Sequence, residues 1–431
     1  LLDFKNILSL FQSRTASAYI NNTIWLLLEK LVRLFVAFIA EVIVARYLGV
    51  FDYGLWSYVM AINFALLALC TLGLDGILVR EFVKQPSLTD KLLGSAFISR
   101  LIVSAIVMLI LLLSMVFFQK DMLMLMIVIM SFSLLFHCFS VIDQLFQSRV
   151  QSKFVVFSSI ISVSLGACLK LFLVFISAPV FCFALAYVSE IFILSLGYLY
   201  FNRRFGMPIN NWSFSTPIAK SLLRDSWPLI LSGVAISINM RVDQFMLKGF
   251  LGLEAVGMYA SAVRILDLAV MLPHLISRSI FPYFVKLKEV DENTFYRRMS
   301  IAYKVFAVAM GSFAIILYFL AEYIVDLFYG AQYIDSVNVL RVGCIAIFLS
   351  SFAALNSVYL RVMNEQHKIM NRQWVNVILN LFLNVVLINR YGFLGAMYST
   401  VISLFISTIV YDLFDSDLKV MNRVKFKIVG G

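Results

Sequence analysis

The sequence predicts an all-α polytopic membrane protein with twelve transmembrane helices. Hydrophobic residues make up 62% of the 431 positions and charged ones 14%, against about 25% charge in a soluble domain, and the mean hydropathy is +0.94. The apolar residues fall in long continuous runs of the length that crosses a bilayer as a helix, about 20 residues, and not in the short alternating segments of a transmembrane barrel. The runs also recur along the whole chain, over 22–46, 54–78, 93–117, 122–146, 154–177, 180–201, 227–249, 257–285, 301–321, 337–360, 373–389 and 393–414.

The first run, Trp25 to Gly54, reads WLLLEKLVRLFVAFIAEVIVARYLGVFDYG and carries Glu29, Lys30, Arg33 and Glu41. A charge at the centre of a spanning helix costs roughly 2.5–3.5 kcal/mol on insertion scales, so this helix is expected to face something hydrophilic. It is too long and too charged for a signal-peptide core. After six spans comes the longest connector, Asn202 to Ser226, with Pro208 and Pro217. It divides the chain into an N-terminal six-helix lobe (1–205), a cytoplasmic loop (206–222) and a C-terminal six-helix lobe (223–431). Pro228 is expected in the first turn of the seventh span, where proline is tolerated. Pro273 should kink the eighth, and Pro282 should mark its cytoplasmic end.

Loop charges orient the chain. Of its 35 Lys and Arg, eight lie inside spans, 23 on the side of the N-terminus, and four (Arg46, Lys120, Lys248 and Arg390) on the other. The positive-inside rule then puts both termini in the cytoplasm. This placement, on one side of a membrane, argues against nucleic acid as the reason for the net charge of +11. The two halves also echo each other. Tyr47-Leu48-Gly49-Val50 followed by Gly54 recurs, 203 residues later, as Phe250-Leu251-Gly252-Leu253 followed by Gly257. Six spans per half make this a parallel repeat, an architecture common in secondary transporters, which hold substrate between the halves.

Around this turn the chain resembles a known family. ARYLGVFDYGLWSYV (Ala45–Val59), LGLDGILVRE (Leu72–Glu81), LGLEAVGMYASAVRI (Leu251–Ile265), FPYF (Phe281–Phe284) and RYGFLGA (Arg390–Ala396) are similar to polysaccharide-biosynthesis membrane proteins of the O-antigen flippase type. These belong to the multidrug/oligosaccharidyl-lipid/polysaccharide exporter (MOP) superfamily. The resemblance implies two six-helix lobes around a central cavity in a bacterial inner membrane. It also implies transport of undecaprenyl-pyrophosphate-linked oligosaccharide from the cytoplasmic to the periplasmic leaflet. It leaves open partner glycosyltransferases and a polysaccharide polymerase, and it favours a monomer.

Such a cargo carries a pyrophosphate, for which Arg offers a fork of donors and Lys a point charge. The bases inside spans are Lys30, Arg33, Arg100, Lys170, Arg241, Arg264, Arg278 and Arg341. Arg100 and Arg278 are expected to snorkel to the cytoplasmic interface. The anion-site candidates are therefore Lys30, Arg33, Arg241 and Arg264, with Lys170 and Arg341 in reserve. The competing reading is internal pairing: Glu29 with Arg33 and Arg264 with Asp267 share helix faces. Arg241 and Asp243, two apart, point to nearly opposite sides and each needs a partner elsewhere. Asp75, Asp143, Glu190 and Asp267 are candidates for binding a coupling proton or sodium ion, or else counter-ions to the bases. No cofactor is expected. No G-x-x-x-x-G-K-[ST] motif is present, so an ion gradient, not ATP, is the expected energy source.

Five scattered cysteines (Cys70, Cys138, Cys168, Cys182 and Cys344) have no metal or disulfide spacing. Trp25, Trp56, Tyr58, Tyr259 and Trp374 are either interfacial anchors or platforms for sugar rings, and His137 and His274 are either buried candidates for protonation or satisfied core residues. Two other function classes compete. A multidrug or small-molecule antiporter would favour acids over bases in its cavity. A membrane polysaccharide polymerase or glycosyltransferase would need a large extramembrane loop, and the connectors here are short. The protein is not expected to be an enzyme.

Overall fold

The computed structural model describes residues 14–117, 121–206, 208–415 and 418–426, with side chains from Val32 onward. Among them there are helices and no strands, and ten helices are long and apolar enough to cross a membrane. The difference from twelve arises in two places. Helix α1, Arg14–Cys70, takes in most of the first two expected spans and is broken at Gly49 (φ 75, ψ 176). Unbroken, its 57 residues would run about 85 Å, nearly three bilayer cores. The expected seventh span is broken as well, between α8 (Thr216–Asn239) and α9 (Val242–Leu251).

The remaining helices follow in order. In the first half they are α2 (Asp75–Lys84), α3 (Thr89–Phe117), α4 (Met122–His137), α5 (Val141–Ser148), α6 (Lys153–Phe175) and α7 (Val180–Phe205). After α8 and α9 come α10 (Leu253–Val290), α11 (Glu292–Tyr329), α12 (Ser336–Val362) and α13 (Gln366–Tyr391). Helix α14 (Phe393–Phe405) continues through a π-helical turn, Ile406–Val410, into a last turn, Tyr411–Phe414. A short amphipathic helix, α15 (Lys419–Phe426), closes the described chain. Helix α10 contains both Pro273 and Pro282, so Pro282 does not end it. Pro228 likewise lies inside α8, because Thr216-Pro217 starts that helix three turns earlier.

The chain forms two compact units. One comprises the chain up to Leu48 with Val59–Met240, the other Gly49–Tyr58 with Arg241 onward. Residues 223–240, expected with the second half, thus pack on the first unit. The connector is a docked strap. Ser213 N donates to the Asp90 carbonyl at 3.3 Å, Ser215 N donates to Ser95 Oγ at 3.0 Å, and the Trp212 ring meets Phe97 edge-on. Helix α8 then lies against Gly73, where a Cβ would stand 2.9 Å from Leu229 Cβ.

The first unit's core gathers Leu78, Phe82, Leu93, Val141, Phe146 and their neighbours. The second's gathers Phe295, Met299, Tyr303, Phe352, Leu355 and Met421. Phe117, Phe175 and Phe319 stand exposed, a cost in water of ~25 cal/mol per Å² that lipid removes.

Within the second unit the sequence repeat recurs as conformation. Gly49 and Gly252 share one backbone state, φ 75, ψ 176 and φ 90, ψ −174, a region open essentially to glycine alone. The later glycines of the repeat then meet. A Cβ on Gly54 would stand 1.9 Å from the Leu253 carbonyl oxygen, and one on Gly257 would stand 2.1 Å from that of Val50. Each glycine touches the residue four before the other, the reciprocity a local twofold produces.

Candidate functional site

In the first unit most of the anticipated charges are paired. Arg100 does not snorkel; it is 1% exposed. Its Nη2 donates to Asp75 Oδ1 at 2.8 Å and its Nη1 to Ser140 Oγ at 2.8 Å, and Gln144 Nε2 donates to the same Asp75 oxygen at 3.0 Å. The guanidinium is buried while Asp75 is 58% exposed, and this hydrogen-bonded counter-ion holds it in place without a strained reach to the interface. Lys170 Nζ and Glu190 Oε2 pair at 2.8 Å between α6 and α7, where Gly166 leaves room for the carboxylate. Arg33 is exposed on α1, within electrostatic range of His137 and Tyr187. Asp143 opens α5. The side chains of Lys30, Glu29 and Trp25 lie outside the described residues.

The second unit holds two groupings. In the first, Arg241, at the break before α9, approaches Asp267 Oδ2 at 3.8 Å. Arg264, three residues before Asp267 on α10, acts on the same carboxylate. Asp267 is 52% exposed, so these charges are not sealed in the core. The structure thereby joins three of the anticipated residues. Arg341, by contrast, pairs with Glu322 at 3.2 Å and lies over the Tyr318 ring.

The second grouping surrounds Asp243, in the first turn of α9. Its carboxylate accepts from Tyr259 Oη at 2.5 Å, Thr400 Oγ1 at 2.9 Å and Asn384 Nδ2 at 2.6 Å. Asn384 also donates to Asn380 Oδ1 at 3.0 Å. Four helices meet at this carboxylate, and the three groups that donate to it are all neutral. The sequence showed that Asp243 faces away from Arg241, but its partners lie up to 157 residues away, and Asn and Thr in an apolar run carry no alarm of their own. Among the aromatic candidates, Tyr259 belongs to this network and Trp56 is 1% exposed, so both are interior residues, whereas Trp374 is exposed. Among the described residues no group of three or more His, Cys, Asp or Glu could hold a metal, and the five cysteines are free.

The helical architecture is similar to that of solved MOP-superfamily transporters. A multidrug-resistance MATE family transporter of that superfamily in an inward-facing conformation superposes with a TM-score of 0.70 at 18% identity, covering 91% of this chain and 94% of the other. The lipid II flippase MurJ in an inward closed conformation gives 0.69 at 17%, covering 95% and 90%. The polysaccharide biosynthesis protein family model matches residues 19–288, more than half of the chain, so this protein belongs to that family. The probable low-salt glycan biosynthesis flippase Agl15 of Haloferax volcanii is 23% identical over 196 residues, 45% of this chain. That match spans 41% of the relative's length.

Proposed function

We propose that this protein is a flippase that moves a pyrophosphate-linked oligosaccharide on a polyprenyl carrier, such as an undecaprenyl-linked O-antigen repeat unit, from the cytoplasmic to the periplasmic leaflet. The observation that carries the reading is the gathering of Arg241 and Arg264 on Asp267 within apolar helices. A pyrophosphate can displace Asp267 from the two guanidinium groups and accept bidentate hydrogen bonds from them. Family membership and the glycan-flippase relative support the substrate class, and the basic grouping disfavours a cationic drug as cargo.

In this reading the chain crosses a bacterial inner membrane twelve times as a monomer with both termini in the cytoplasm, and it alternates access without covalent chemistry. Transport is coupled to a proton or sodium gradient, with Asp243 as the coupling carboxylate in place of Asp75 and Glu190, which neutralise Arg100 and Lys170. The test is complementation of a flippase-null strain by Arg241→Gln and Arg264→Gln. Both are expected to lose complementation at an unchanged level in the membrane. Full activity of both would refute the anion site.

A further inference from the structure

The Asp243 network does not stop at Asn380. Helix α13 carries Arg372, Asn376, Asn380 and Asn384 at four-residue intervals, which places them on one face along about 18 Å of helix. Opposite them, α14 and its π-helical turn carry Thr400, Ser407 and Thr408, and its last turn carries Asp412. Asn380 Nδ2 reaches Thr400 Oγ1 at 3.4 Å, joining the two rows beside Asp243. At the other end a cavity opens whose lining includes Asn356, Arg372, Gln373, Asn376, Ser407 and Thr408. Seven of its ten lining residues are polar.

Three buried atoms along this row have no hydrogen-bond partner among the described residues: Asn384 Oδ1, Asn376 Oδ1 and Arg372 Nε. Inside a membrane, orphaned polar atoms of this kind are served by water held between several polar groups. The π-helical turn contributes as well. Its register turns the Thr408 carbonyl toward side chains, where it accepts from Asn356 Nδ2 at 3.1 Å; π-turns of this kind concentrate at functional sites. The mouth of the row holds paired charges. Arg372 and Lys425 both pair with Asp412, and Lys368 pairs with Glu365 and Asp415, so each of these bases has an acid beside it.

We infer that the α13–α14 seam is a water-filled passage, internal to the second unit, through which a monovalent cation travels between Asp243 and the Lys/Arg-rich face of the membrane. The passage runs along α13 and α14, whereas Arg241 stands at the break before α9 and Arg264 on α10. The inference rests on the reading of Asp243 as the coupling carboxylate, but the two can fail independently.

The test is cysteine accessibility in the full-length protein. Asn376→Cys and Ser407→Cys are placed on different helices, so one reports if the other fails to fold. A membrane-impermeant, positively charged methanethiosulfonate reagent is applied to vesicles of each orientation, and the modified residue is located by mass spectrometry. The reagent attacks thiolate, which forms in water and not in lipid. Both positions are expected to be modified from the Lys/Arg-rich face, as is Gln366→Cys at the start of α13. Leu381→Cys and Val385→Cys on its exposed apolar face are expected to stay unmodified. Loss of labelling at both Asn376→Cys and Ser407→Cys where Gln366→Cys is fully modified, or labelling from the opposite face alone, overturns the passage. If both are labelled yet Asp243→Asn keeps full gradient dependence of transport, the coupling reading falls and the passage stands.

Discussion

Replacing Gly54 by alanine adds one methyl group where the structure has no place for it. The new Cβ would stand 1.9 Å from the Leu253 carbonyl oxygen, 2.8 Å from its carbon and 3.0 Å from Gly257 N. All three are backbone atoms, so no side chain can swing away. Restoring an ordinary contact at 3.4 Å means parting the two helices by about 1.5 Å (3.4 − 1.9), and a gap of 0.5–1 Å already forfeits roughly a quarter to a half of each dispersion contact. We therefore take the upper end of the ~1–3 kcal/mol range for overpacking and subtract up to ~1 kcal/mol for alanine's better helix propensity, which leaves a destabilisation of roughly 2 kcal/mol. Gly257→Ala meets Val50 in the same way at 2.1 Å and should cost about as much. The double variant should cost little more than either single one, because the second methyl enters a gap that the first has opened. Gly76→Ala, with nothing within 4 Å, is the control and should be neutral or slightly stabilising. Thermal unfolding of the purified protein in detergent reads all four. Wild-type stability in both single variants, or strict additivity in the double, would refute the reciprocal contact.

Asp243→Asn should leave the protein folded, since an amide can still bond Tyr259 and Thr400, and should abolish the dependence of transport on an ion gradient in proteoliposomes. Asp75→Asn strands the buried Arg100 guanidinium. Breaking a fully buried pair costs about 3–5 kcal/mol, and with Asp75 58% exposed we expect about 2–3 kcal/mol after screening; Asp75→Leu with Arg100→Met should recover most of it. Burial lowers the Lys425 ammonium on α15 from its usual value to about 8. Between about pH 8 and 10.5 the unfolded segment therefore holds a proton that the docked helix has lost, and docking strengthens as pH rises through that window. Protection of α15 from proteolysis should rise with pH in the wild type and not in Lys425→Met.

Much of the fold can be read directly from the residues. Continuous apolar runs name the helices, and the Gly49/Gly252 echo names the repeat, because only glycine enters that backbone state. What escapes is pairing at a distance. Arg100 reads as a snorkelling base until Asp75, 25 residues away, is seen beside it. Asp243 reads as a carboxylate in want of a partner, since Asn384 and Thr400 carry no charge to betray their role. The break at Met240–Arg241 is hidden for a related reason. It contains neither glycine nor proline, and its backbone turn is visible only in the structure. Arg241, Arg264 and Asp267 are legible as charges in apolar runs, and their convergence is not.

The second unit is not contiguous in the chain, for it includes Gly49–Tyr58 as well as everything from Arg241 onward. During synthesis Gly54 therefore emerges 203 residues ahead of Gly257. At about 5–20 residues per second that is an interval of roughly 10–40 s, in which the bend at Gly49 and the bare face at Gly54 have no counterpart. Whatever shields that face in the interval, whether lipid, the insertion machinery or a passing helix, must let go when the second copy of the turn arrives. A step of assembly that waits for residue 257 is thus written into one of the first segments made.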